Sequence, residues 1–398
     1  MKKIFFALMA ALAVVACNKN VTPDIPVDSA DGTRGELRVT INFPEPELQT
    51  KVSSPSIVAE STISSIQVFV FNTNSEKTLD ADRYQAISPA IAANADPYTL
   101  RVTTKTGTKE VWVVANSPRI TGVTKLADLK SKQSFLSDNA RLESSVWKPN
   151  LTMVGSVSSV TIAAYDNTEA TVKDTDITIN RLVSRISLTN VNVDFRQTAY
   201  EGSTFKIKSL YLKNVVKGSL IDGTPLALND ASNYVCKFNK ANVASLDSDA
   251  AIFSLVTDGL SSTPAEQLTV PAGGANTDGA SAFNPGYGWY CYPNKTLKAN
   301  DHTDSATMPI CTRLVIMAEI SRAASGSFPA IDPFITYYVL TIPIEMEANR
   351  IYNINSVSIK SLGKDNDDDD TLTEAGKLDA NVTVGPWTGP EVPLSYEF

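Results

Sequence analysis

Histidine is nearly missing: His302 is the single one in 398 residues. One histidine cannot build a histidine-rich metal site, and no Gly-x-Ser-x-Gly elbow accompanies it. A Ser-His-Asp triad would still have to use His302, but its Asn-Asp-His-Thr-Asp surroundings read as an exposed loop. Cysteine is almost as scarce, with four residues and no Cys-x-x-Cys pair. Setting Cys17 aside leaves an odd three, Cys236, Cys291 and Cys311, which argues against a disulfide framework. Cys236 and Cys311 sit beside apolar residues and read as small buried side chains, while a Cys291–Cys311 bridge stays open. Positive charge is also short: 35 Lys and Arg face 43 Asp and Glu, for a net charge of -8. Non-specific nucleic-acid binding needs a basic face and is excluded. No uninterrupted apolar run after the first twenty residues is long enough for a membrane-crossing helix. Phosphate loops, dinucleotide fingerprints and paired-carboxylate motifs are absent, so no cofactor and no catalytic residue is expected. No 20–50 residue repeat points to a solenoid or propeller.

What is present begins with a targeting segment. Lys2 and Lys3 precede the apolar stretch Ile4–Val15, and small residues lead into Cys17. This resembles the lipobox of bacterial lipoproteins, in which the cysteine is lipidated and becomes the first residue after cleavage. Residues 1–16 then form a signal peptide and 17–35 a tether, with Cys17 as the outer-membrane lipid anchor.

Strand signals dominate the rest. Leu37, Val39, Ile41 and Phe43 alternate with Glu36, Arg38, Thr40 and Asn42, so Glu36–Phe43 reads as a strand with one buried face. At the other end Val392, Leu394, Tyr396 and Phe398 alternate with Pro393, Ser395 and Glu397 in the same way. Between them, strands are expected over 63–71, 98–103, 110–115, 154–164 and 171–179, and then over 181–193 and 205–216. The series continues at 289–292, 313–320, 335–344, 350–359 and 378–384, with Gly385-Pro386-Trp387 turning the chain. Leu126–Leu136 has helical spacing, and residues 217–285 read as surface loops. The fold class is therefore all-β, with antiparallel β-sandwiches divided at residue 181. The acidic run Asp365–Asp370 lacks the glycine and distal glutamate of an EF-hand loop and reads as a solvated linker, with calcium binding left open. The aromatics from Trp289 to Tyr292 read as core, or alternatively as a glycan-binding face.

Taken in order, these segments resemble the fimbrillins of the Bacteroidales type V pilus. The lipobox at Cys17 and the early strand Leu37–Phe43 come first, and Ile66-Gln67-Val68-Phe69-Val70-Phe71-Asn72 follows. Then come Val111-Trp112-Val113-Val114-Ala115-Asn116 and Arg181-Leu182-Val183-Ser184-Arg185-Ile186. Trp289–Asn294, Glu347–Ile354 and Val382–Trp387 complete the series. The resemblance implies two transthyretin-like β-sandwich domains in tandem, 36–180 and 181–398, the second ending in a donor segment at 377–398. It implies a surface fimbria subunit for adhesion and biofilm formation. Its partners would be further copies of itself and accessory pilins, with host or bacterial surface receptors beyond. The precursor would be a lipoprotein of the outer membrane, processed by a trypsin-like protease that removes the first strand. Cleavage at Lys51, before Val52, would release that strand, whereas cleavage at Arg34 would leave it in place. The family's usual arginine is a lysine here. Losing Leu37, Val39, Ile41 and Phe43 would uncover roughly 6–12 kcal/mol of apolar burial, and Val392, Leu394, Tyr396 and Phe398 match the same alternation. A tip or anchor pilin, or a surface glycan-binding lipoprotein, are the alternative readings.

Overall fold

The structure, a computed structural model, describes residues 32–42, 60, 62–91, 97–143, 146–196, 198–235, 267–269, 287–294, 311–342, 345–365, 378–386 and 392–396. The N-terminal half contains β1 (Arg34–Asn42), β2 (Ile63–Asn72), β3 (Leu79–Ile91), β4 (Tyr98–Lys105) and β5 (Gly107–Ala115). A short helix, α1 (Leu126–Lys130), is followed by β6 (Gln133–Phe135), β7 (Ala140–Glu143), β8 (Val146–Pro149), β9 (Met153–Ile162), β10 (Lys173–Thr178) and β11 (Asn180–Arg181). Next come β12 (Ser184–Leu188), β13 (Val191–Val193), β14 (Thr204–Lys213), β15 (Val215–Val216), β16 (Gly218–Leu220), β17 (Tyr234–Val235) and β18 (Gln267–Thr269). The chain ends with β19 (Tyr287–Cys291), β20 (Arg313–Arg322), β21 (Ile331–Thr341), β22 (Arg350–Ile359), β23 (Leu378–Pro386) and β24 (Val392–Tyr396).

These strands make two β-sandwiches in tandem. The first packs the sheet β10-β1-β4 on the sheet β11-β9-β5-β2-β3. The second pairs β19-β12-β22-β23-β24 with β18-β14-β20-β21. Pairing is antiparallel except where β1 meets β10 and where β22 meets β12 and β13.

Burial follows from position in the sheet. β1 alternates, with Leu37, Val39 and Ile41 fully buried. Central β2 and β5 are buried on both faces, which explains their unbroken apolar runs. The face of β2 bearing Gln67, Phe69 and Phe71 is covered by the segment leading into α1. Gln67 accepts from the Ile120 N–H at 2.9 Å and donates to the Ile120 carbonyl at 2.9 Å.

Three expectations need correction. The helical spacing of Leu126–Leu136 yields five residues of helix, because Gln133–Phe135 pairs with β16 instead. The same pairing buries Gly218 and Ser219, so the start of the 217–285 stretch is interior rather than surface loop. Gly385 and Pro386 extend β23 and do not turn the chain. The long strand β3 and the β7–β8 hairpin carry no clear alternation in sequence.

The segments that carry the family resemblance have structural reasons. Asn116 ends β5 at φ 59°, a left-handed conformation that asparagine tolerates. Its side chain accepts from the Ser64 N–H and donates to the Thr62 and Leu151 carbonyls, closing the end of the sheet. Asn349, at φ 58°, donates its N–H to the Val183 carbonyl just before β22.

Candidate functional site

The candidate site is the slot that β1 fills. β1 runs parallel to β10 over six residue pairs and antiparallel to β4 over eight, so it is the middle strand of its sheet. Its inward side chains Leu37, Val39 and Ile41 have 0% exposure. Burying the three contributes roughly 4.5–9 kcal/mol. Gly35 shares that inward face, and no side chain fits there. A Cβ would lie 2.6 Å from Ile162 Cγ2 and 3.1 Å from the Ala163 carbonyl oxygen.

The outward face of β1 is electrostatic. Glu36 is 3% exposed despite facing away from the sandwich interior. Its carboxylate accepts from Thr103 Oγ1 at 2.9 Å, Arg101 Nε at 3.3 Å and Arg34 Nη2 at 2.7 Å. Two positions on, Arg38 pairs with Glu169 and lies 3.4 Å from Asp174. Glu169 also receives Arg101 Nη1 at 2.7 Å. That hydrogen bond holds Glu169 below the usual carboxylate range and raises Arg101. Arg34 and Arg101 both lie over the Tyr165 ring, at 5.1 and 5.4 Å. Along β10 the outward residues opposite Arg38 and Thr40 are Asp174 and Asp176.

Beneath the slot, Asp80 of β3 joins three strands. Its Oδ2 accepts from Lys109 Nζ at 2.8 Å, from the Lys105 N–H at 2.9 Å and from the Thr104 hydroxyl. Burial pulls the Asp80 carboxyl upward, but these hydrogen bonds outweigh it and hold it below its ordinary value.

The two sandwiches meet at a second buried centre. Glu60 is fully buried and receives Arg185 Nη1 at 3.0 and 2.9 Å, together with the Tyr290 hydroxyl. Arg181 Nε reaches the Glu60 carbonyl at 3.4 Å, and burial lowers the Arg181 guanidinium to about 10, still cationic at neutral pH. Tyr292 bonds to Ser134 at 2.7 Å and Asn139 at 2.9 Å across the same boundary. The run Trp289–Tyr292 is therefore interior: Trp289 is 1% exposed and presents no face to a sugar. Cys291 and Cys311 are buried thiols, with burial pushing Cys291 up to about 12.

At the other end of the chain β24 is an edge strand, antiparallel to β23 over five residue pairs. It contains Val392, Leu394 and Tyr396. The structure does not bring β24 to the β1 slot of the same molecule: the two lie in different sheets. Arg34 is the first residue of β1, half-exposed and tied to Glu36. Cys17, Phe43, Lys51, Val52, His302 and Phe398 lie outside the described residues, as does most of the acidic run 365–370. Among the described residues no group of histidine, cysteine or acidic side chains is arranged to hold a metal ion. Sequence reading found the inward residues of β1 and missed Glu36, Glu60 and Asp80, because alternation marks which residues point inward and says nothing about which polar groups meet.

Residues 38–190 match the family model for the major fimbrial subunit protein (FimA). The fold is similar to that of a Bacteroides eggerthii protein assigned to cell adhesion, at TM-score 0.54 and 17% identity, covering 89% of this chain and 98% of that one. It is similar to a fimbrilin of Porphyromonas gingivalis at TM-score 0.53 and 15% identity, covering 88% and 98%. A Parabacteroides distasonis protein also assigned to cell adhesion matches at TM-score 0.52 and 14% identity, covering 90% and 100%. No curated protein matches by sequence.

Proposed function

We propose, for a chain that resembles the major fimbrial subunits in sequence over residues 38–190 and the fimbrilins in fold, that it is a pilus subunit polymerised by strand exchange. The observation that carries the reading is a matched pair of strands in unequal positions. β1 is apolar, central and flanked by two strands. The C-terminal segment repeats its alternation and hangs on one edge. A vacated β1 slot would expose two strand edges over a bare apolar floor, which would capture an extended segment from another copy.

In this reading Cys17 carries the lipid of an outer-membrane precursor, and a trypsin-like protease cuts after Lys51. Val392, Leu394, Tyr396 and Phe398 of the next subunit then replace Leu37, Val39, Ile41 and Phe43. Cleavage at Arg34 would leave β1 in the slot, since Arg34 precedes every inward residue of the strand. The fibre serves surface adhesion and biofilm formation, with accessory pilins at its ends. A tip pilin need not donate a strand and an anchor need not lose its lipid; the alternating C-terminus favours a stalk subunit.

The test is assembly triggered by protease. The non-lipidated chain from Asn18 is treated with a trypsin-like protease and run unboiled on a denaturing gel. A multimer ladder requiring both cleavage and residues 392–398 is expected, with Val52 as the new N-terminus. A processed but monomeric product would overturn the stalk reading.

A further inference from the structure

We infer that the slot accepts the C-terminal segment of another copy in one direction and one register, with Glu391 replacing Glu36 against Arg101 and Thr103. The inference rests on the strand-exchange reading and adds what that reading leaves open.

The backbone alone does not choose a direction. β4 is antiparallel to β1 and β10 is parallel to it, so either orientation meets one ladder of each kind. The choice falls to side chains. Alternation first removes every odd shift, which would turn the apolar face outward. Three features of the slot then act on what is left. Position 35 has no room for a side chain. Position 36 offers a carboxylate niche made by Thr103 and Arg101. Positions 38 and 40 lie opposite Asp174 and Asp176 on the β10 side, with Glu169 also at position 38; on the β4 side position 38 meets Arg101, whose Nη1 is already held by Glu169.

Laying the segment Glu391–Phe398 in the direction of β1, with Val392 at position 37, satisfies all three. Leu394, Tyr396 and Phe398 then follow at 39, 41 and 43, while Pro393 and Ser395 face the two aspartates. Glu391 falls at position 36, and Glu397 at 42, opposite Thr178. Sliding two residues one way puts Val392 where Gly35 leaves no space. Sliding two the other way sets Glu391 against Asp174 and Glu169.

The reversed segment fails in each setting. With Phe398 at 37, Glu397 faces Asp174 and Glu169, and the one cation across from it, Arg101, is already bonded to Glu169. With Phe398 at 39, it faces Asp176. With Phe398 at 35, the ring has no room. Like charges directly opposed across a ladder are destabilising, and a charged hydrogen bond is among the stronger polar contacts. Pro393 forfeits one ladder N–H in either direction and does not discriminate.

Cross-linking in the processed, assembled protein tests this. Glu391→Cys and Thr103→Cys are combined in the non-lipidated chain, the multimers are formed under reductant, and air with copper–phenanthroline then oxidises the thiols. An intersubunit disulfide is expected in the multimers and not in the uncleaved precursor. Glu397→Cys with Arg101→Cys reports the reversed strand and is expected to stay unlinked. Multimers that link through the second pair, or through neither, overturn the register while strand exchange stands. Absence of multimers in the parent protein overturns strand exchange and the register with it. Glu391→Lys alone, a change confined to the terminal segment, is expected to weaken capture about tenfold or more; a ladder equal to that of the parent would overturn the niche.

Discussion

β1 and β24 carry the same alternation and are held in opposite ways. β1 is paired over eight residues with β4 and six with β10, and its inward side chains are fully buried. β24 has five pairs on one side and, among the described residues, none on the other. A central strand cannot leave without opening two ladders and a core, so its release needs a covalent cut. An edge strand gives up one ladder. Equal periodicity therefore allows unequal roles, and position in the sheet decides which strand is fixed and which is available.

Glu60→Gln is expected to have the largest effect. It removes the charge that Arg185 and Tyr290 share, leaving a buried cation, for about 3–5 kcal/mol of lost stability in chemical denaturation. Because Glu60 follows Lys51, the loss should persist after processing, unlike any effect exerted through β1.

Leu37→Ala should cost the precursor about 2–5 kcal/mol, whereas truncation before Val392, which removes an edge strand holding one ladder, should cost it less. Denaturation midpoints of the two variants measure the contrast directly, and equal losses would break it. Gly35→Val should follow at about 1–3 kcal/mol, because the new side chain meets Ile162 and the Ala163 carbonyl. A precursor as stable as the parent would show that the floor of the slot yields at position 35.

The smallest effect is a pH dependence specific to Asp80. Its folded carboxyl titrates lower than in the unfolded chain, so the unfolded state binds the proton first. The stabilisation is complete above the unfolded range, about pH 4, and disappears as pH falls through the lower folded value. Asp80→Asn should therefore flatten the acid limb of stability below about pH 4 relative to the parent. Parallel acid limbs would remove Asp80 as a source of the dependence.

Strand content was open to reading wherever apolar residues alternate or run together. β1, β2, β4, β5, β14 and β22 all lie where Leu37, Val68, Val102, Val113, Leu212 and Ile354 predict them. β3 was hidden because its residues are half-exposed and the period is blurred. The 126–136 stretch misled because its spacing suits a helix, while pairing of Gln133–Phe135 with Gly218–Leu220 supplies hydrogen bonds a longer helix would forfeit.

The amino-acid order by itself determined the all-β class and the inward face of β1. Side-chain period and composition are local properties, and they need no knowledge of neighbours. The tertiary structure decided that β1 lies between β10 and β4 while β24 lies at an edge. It decided that Glu36 and Glu60 are buried and Asp80 half-buried, with partners 65, 125 and 29 positions away along the chain. A carboxylate is stable in such a place because distant donors converge on it, and no local pattern records that convergence.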